Sequence, residues 1–182
     1  MLLDAVSTVL SLAILQTFNW AVTGHFKSDS MPAGMKLIVV ASAVTALALL
    51  AFLWTRAQPP AAQLAGMAIE VCGLGLFMLC LAATRQVRFR MAFDDGVPEQ
   101  LVTTGPYRYI RHPFYTSYLI FWTGFALITF SWLAVPLLLL MTAIYFFAAQ
   151  GEDRRIASSE LAEQHVLHRQ QAGMFWPKLW RK

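Results

Sequence analysis

The chain has 182 residues, 58% of them hydrophobic and 13% charged, with a formal net charge of +4. Soluble domains carry roughly a quarter charged residues, so this composition excludes a protein solvated by water alone. The positive balance does not mark a nucleic-acid binder either, because the aromatic residues lie mostly inside apolar runs rather than among the basic ones.

A bilayer core about 30 Å thick needs roughly 20 apolar residues per helix, and long charge-poor runs of that kind recur along the chain. The first, approximately 5–22, is uncharged and is preceded by Asp4 but by no Lys or Arg. It lacks the positive start and small-residue cleavage site of a signal peptide, and so predicts a retained helix. The second, 37–54, closes at Arg56 and Pro59-Pro60, which cannot continue a helix. The third, 61–83, contains both cysteines, Cys72 and Cys80, with no ligand cluster around them, so neither a zinc site nor a disulfide framework is predicted and no metal is expected. It also contains Glu70, an ionisable group deep in an apolar run. Such a group either touches a lipid head group or substrate, or packs protonated against another helix. Gly73-Leu74-Gly75 reads as close helix packing through small residues. The longest uncharged run, Pro113 to Gly151, exceeds a single span. It predicts a helical hairpin of 114–130 and 132–150, turning at Thr129-Phe130-Ser131-Trp132, with Pro136 tolerated in the first turns of the second arm. One long tilted helix with a buried elbow is the alternative.

The expected fold is therefore all-α, a single polytopic membrane domain over 1–182 with about five transmembrane helices, the fourth and fifth forming the hairpin, and a cytoplasmic C-terminal helical segment. Five crossings put Lys27, Lys36, Arg85, Arg88, Arg90, Arg108, Arg111, Arg154, Arg155, Arg169, Lys178, Arg181 and Lys182 on one side and Arg56 alone on the other. Cytoplasmic loops are enriched in Lys and Arg, so the N-terminus is predicted outside and the C-terminus in the cytoplasm. Trp176, Trp180, Arg181 and Lys182 read as interfacial anchors.

The stretch after the third helix, Leu101-Val102-Thr103-Thr104-Gly105-Pro106-Tyr107-Arg108-Tyr109-Ile110-Arg111-His112-Pro113-Phe114-Tyr115, is dense in special residues. Gly105-Pro106 forces a turn, and His112 precedes Pro113 at a helix start. A positive anchor with interfacial tyrosines accounts for Arg108, Arg111 and Tyr109, but not for Gly-Pro or His-Pro. The hairpin leaves one membrane face at Pro113 and returns to it at Gly151, so His112 and Glu152 are expected at a common plane. Glu152-Asp153 reads either as a solvated pair leaving the helix or as part of a site, since acidic groups at a helix C-terminus oppose the dipole.

Gly105 to Tyr115 resembles the G-P-Y-R-Y-x-R-H-P-x-Y signature of the isoprenylcysteine carboxyl methyltransferase and phospholipid methyltransferase superfamily. Glu152-Asp153, Glu160-Leu161-Ala162-Glu163 and Phe175-Trp176-Pro177 are similar, at matching spacing, to the family's second element. The likeness covers roughly 100–177. Gly73-Leu74-Gly75 is similar to a small element of the phospholipid branch. The departures are Ser117 in place of Gly, Asp153 in place of Glu, Ala148 and Gln150 where Arg is frequent, and His165 and His168 where Tyr is frequent.

The resemblance implies an S-adenosylmethionine-dependent methyltransferase acting on a lipophilic acceptor from the bilayer, a prenylcysteine-like carboxylate or a phospholipid or other small lipophilic group, with membrane lipids as surroundings and no nucleic-acid partner. It implies a cofactor region lined by Leu101, Val102, Thr104, Gly105, Pro106, Tyr107, His112, Pro113, Tyr115, Glu152 and Asp153. His112 and Glu152 are the expected catalytic residues, and Glu70 and Arg111 the expected substrate contacts. A pocket for this donor wants carboxylates, aromatic faces and backbone donors, and no G-x-G-x-x-G fingerprint offers another cofactor site. Methyl transfer is an in-line displacement that needs alignment. A carboxylate or thiolate acceptor needs no base, whereas an amine calls for His112 or Glu152 as general base. A nicotinamide-dependent membrane reductase of the sterol-reductase type and a non-enzymatic membrane scaffold are the alternatives.

Overall fold

The computed structural model describes residues 1–24, 32–85 and 100–178. Lys27, Arg88, Arg90, Trp180, Arg181 and Lys182 lie outside the described residues. The elements are α1 (Leu2–Gly24), α2 (Ala33–Thr55), α3 (Pro60–Ala83), a 3-10 turn (Gly105–Arg108), α4 (Pro113–Thr129), α5 (Ala134–Ala157) and α6 (Ala162–Gln171). Among the described residues the one strand-like pairing is an isolated parallel bridge between Ile110 and Gly173.

α1, α2, α3 and α5 are each long and apolar enough to cross a membrane. Their outward faces stay apolar, with Leu47 68% and Leu139 63% exposed. Faces of that kind suit hydrocarbon rather than water as the solvent. α4 departs from expectation. At 17 residues it rises about 25 Å, short of the about 30 Å hydrocarbon core. Pro113 starts it, and Phe130 in a left-handed conformation (φ 41°) ends it. It packs against α2, α3 and α5 and is buried along most of its length. The expected hairpin is present, with the Ser131 hydroxyl accepting from the Leu133 amide in the turn.

α5 corrects the sequence reading more sharply. It does not end near 150 but continues to Ala157, so Glu152 and Asp153 sit inside a helix whose last turn carries Arg154 and Arg155. The dipole argument against a solvated acidic pair at a helix end therefore does not apply. The basic last turn complements the dipole instead.

Two seams fix the bundle. α1 and α3 run parallel at a constant offset of 59 residues. Gln63 donates to Asp4 (2.7 Å), Ser11 donates to Glu70 (2.7 Å), and Phe18 meets Phe77 at 4.6 Å. The buried positions Ser7, Ser11, Ile14, Phe18 and Ala21 face Gly66, Glu70, Gly73, Phe77 and Cys80 in a seven-residue repeat. The paired polar layers set the register, as polar core positions do in coiled coils. α3 and α4 run antiparallel through small residues. A Cβ on Gly66 would fall 2.6 Å from the Gly124 carbonyl oxygen, and one on Gly73 would fall 3.0 Å from that of Ser117. Gly73 thus has the packing role read from the sequence, with Ser117 as its small partner, while Gly75 faces open space. These seams bring the start of α4 and the end of α5 to one end of the bundle.

Candidate active site

The site is assembled where the 105–116 corner meets α5 and the C-terminal segment. Gly105 adopts φ +57°, a conformation in which a Cβ is strained, and the chain then turns through Pro106. Tyr107 is buried, whereas Arg108 lies over the exposed Tyr109 ring at 5.8 Å. The next residues are strapped to the C-terminal segment. The Arg111 amide donates to the Gly173 carbonyl (2.8 Å), the His112 amide to that of Met174 (3.1 Å) and the Thr116 hydroxyl to that of Phe175 (2.9 Å). Gly173 must lack a side chain, because a Cβ there would lie 1.8 Å from the Trp176 carbonyl oxygen.

Asp153 is the hub. Arg111 donates to its Oδ2 (3.0 Å), and the Nε2 atoms of His112 (3.1 Å) and His165 (3.0 Å) meet its Oδ1. Arg111 also donates to the Ala172 carbonyl (2.8 Å). Glu152 receives Nδ1 of His112 (3.4 Å) and the Tyr115 hydroxyl. Both nitrogens of the His112 ring therefore face carboxylates. Burial works against its charged form, but the hydrogen bonds and charges of Asp153 and Glu152 outweigh burial and hold the imidazole up at about 8. His168 Nε2 donates to the Tyr107 carbonyl (2.7 Å), and burial moves the imidazole below its ordinary value. The Tyr115 ring stacks on His112 (5.7 Å) and on Tyr145 (5.6 Å), and Trp122 donates to the Tyr145 hydroxyl (3.2 Å).

A cavity of about 420 Å³ opens at this junction, within the roughly 300–1,000 Å³ of small-molecule sites. Of the residues expected around the cofactor, Leu101, Val102, Tyr107, His112, Pro113, Tyr115, Glu152 and Asp153 line it, and so does Arg111, expected as a substrate contact. Thr104, Gly105 and Pro106 stand behind Tyr107 as the turn and are not in the wall. Glu70 is also outside the wall, fully buried on the α1–α3 seam with Ser11. Sequence reasoning missed the wall supplied by α1 and α2, including Gln16, Asn19 and Ser42, and also Tyr118, Tyr145, Arg155, His165 and His168. Gln16 and Asn19, three apart in an apolar helix, were the available signal, as was the His165/His168 pair at the same spacing on α6. Two buried donor-capable atoms, Nε of Arg111 and Nδ1 of His165, have no partner among the described residues.

Fold and site together define an integral membrane protein of packed helices, with a charged small-molecule cavity at one end of the bundle. Residues 62–158, more than half of the chain, match the family model described as phospholipid methyltransferase, and the chain belongs to that family. The matched stretch runs from the start of α3 to the end of α5 and so contains both the 105–115 corner and the acidic pair. Comparison with curated proteins and with solved structures each gave no match.

Proposed function

We propose that this membrane methyltransferase takes its methyl group from S-adenosylmethionine, bound at the His112–Glu152–Asp153 junction, and passes it to a lipophilic acceptor arriving from the bilayer. The observation that carries the reading is a cavity with partly buried carboxylates and stacked tyrosines at one end and apolar α1 and α2 walls at the other. The residues fit the donor. Glu152, 27% exposed, offers an anionic partner for an ammonium group. Tyr118 and Tyr145 give ring surface for a sulfonium through cation–π attraction. Leu101 and Val102 offer apolar contact for a flat base, and the unpartnered Arg111 Nε and His165 Nδ1 suit ligand oxygens.

When bound, the donor supplies an electrophilic methyl on a positively charged sulfur. The protein's part is alignment of that methyl with the acceptor atom and exclusion of water. His112, charged below a pH of about 8 and gripped at both nitrogens, orients Glu152 rather than receiving a proton. For an amine acceptor the base is then Glu152, and for a carboxylate or thiolate no base is needed. The Lys and Arg of the loops at this end of the bundle support a cytoplasmic placement for it.

Titration calorimetry of the purified protein with S-adenosylmethionine and with NADPH tests the reading. Saturable binding of the former, abolished in Glu152→Ala and in His112→Ala with the detergent-solubilised fold intact, is the expected result. Binding of NADPH alone defeats it in favour of a reductase.

A further inference from the structure

α5 ends in two adjacent arginines that differ in what they face. Arg154 is exposed and outside the cavity, as a basic residue complementing a helix dipole should be. Arg155 is partly buried and lines the cavity, with its Nη1 3.5 Å from where a Cβ on Gly151 would stand. Three residues beyond Glu152, it lies on the same helix face as that carboxylate. Among the described residues no hydrogen bond or ion pair engages its guanidinium. The other charges of the wall are already matched. Asp153 takes Arg111, His112 and His165, and Glu152 takes His112 and Tyr115. Three cations, Arg111, His112 and Arg155, thus face two carboxylates, and the one left over is Arg155. A half-buried guanidinium without a counter-ion is unfavourable until an anion reaches it, and its planar fork matches a carboxylate or phosphate in bidentate fashion.

We infer that Arg155 is an oxyanion-binding residue of this site, gripping the carboxylate or phosphate of a ligand in the cavity and thereby fixing where that ligand's reactive end lies. The inference rests on the proposed donor and acceptor site. Two ligands can bring the oxyanion, an amphiphilic acceptor through a head-group phosphate or carboxylate, or the methyl donor through its amino-acid carboxylate. Arg155 is a specificity residue in the first case and a donor-positioning residue in the second.

The test is calorimetry on the full chain in neutral phosphatidylcholine nanodiscs, with hexyl phosphate, hexyltrimethylammonium and S-adenosylmethionine as probes, comparing wild type, Arg155→Gln and Arg154→Gln. Hexyl phosphate is expected to bind wild type and to lose about tenfold or more in affinity in Arg155→Gln, with Arg154→Gln unchanged and no loss of affinity for the cationic probe in either variant. A comparable loss for S-adenosylmethionine alone supports the residue's role and assigns the oxyanion to the donor. Equal losses in both arginine variants indicate a surface-charge effect and overturn the inference, as does an Arg155→Gln variant with unaltered affinity for both anionic probes. Failure of wild type to bind S-adenosylmethionine while hexyl phosphate still depends on Arg155 removes the donor reading and leaves the oxyanion site standing.

Discussion

The His112 junction makes stability depend on pH with a definite sign. The imidazole is held at about 8 against an ordinary 6.5, by two carboxylates that prevail over its burial. A group raised in the folded state stabilises it fully below the unfolded value, and that contribution is lost as the pH climbs through the folded one. The side chain is only 7% exposed, so solvent screens the interaction little, and the shift corresponds to about 2 kcal/mol. For a chain of this length that is a fall in Tm of about 4–8 °C between pH 6.5 and pH 9. His168 is moved down by burial and titrates on the acid side of this window. The assay is tryptophan fluorescence during thermal unfolding in a neutral detergent, at half-unit steps of pH, on wild type and His112→Asn. The variant is less stable throughout, and its curve is flat where the wild-type curve falls. A wild-type Tm that stays level from pH 6.5 to 9, or a fall that survives unchanged in His112→Asn, refutes the reasoning.

Asp153→Asn leaves Arg111, His112 and His165 without their shared anion; the pair is partly buried, so the cost falls below the about 3–5 kcal/mol of a fully buried pair and is readable as lost thermal stability. Tyr115→Phe removes one donor to Glu152 while keeping the ring stack, so S-adenosylmethionine affinity drops about tenfold by calorimetry with the Tm nearly unchanged. Gly124→Val drives a side chain into the backbone of α3 at Gly66, and the lost seam should appear as aggregation on size-exclusion chromatography. Glu70→Gln keeps an acceptor for Ser11 and lies away from the cavity, so donor affinity and turnover stay at wild-type level; a loss of either returns Glu70 to the substrate side.

What the sequence disclosed and what it hid have one physical cause. Charge-free length is a strong signal in a membrane chain, so every long helix but the end of α5 was legible to within a few residues, and the hairpin's geometry was enough to predict that His112 and Glu152 meet. The end of α5 was not legible, because Gln150-Gly151-Glu152 marks where apolar side chains stop, and a helix has no reason to stop there when its next turns bury charges in a site. The rotation of α1 and α2 was hidden more deeply. In water, the buried face of a helix is the apolar one; in hydrocarbon the outer face is apolar as well, and hydrophobic periodicity no longer separates inside from outside. What separates them here are the polar and small residues. Ser7, Ser11, Gln63 and Glu70 mark the α1–α3 seam, Gly66, Gly73 and Gly124 mark the α3–α4 seam, and Gln16, Asn19 and Ser42 mark the cavity wall. Taken one by one, these residues invite functional readings such as the substrate role first assigned to Glu70. Taken as a set they are the inward face of the bundle, and function is left to those that reach the cavity without a partner. By that criterion Arg155, which looked like half of an ordinary basic helix end, outranks Glu70.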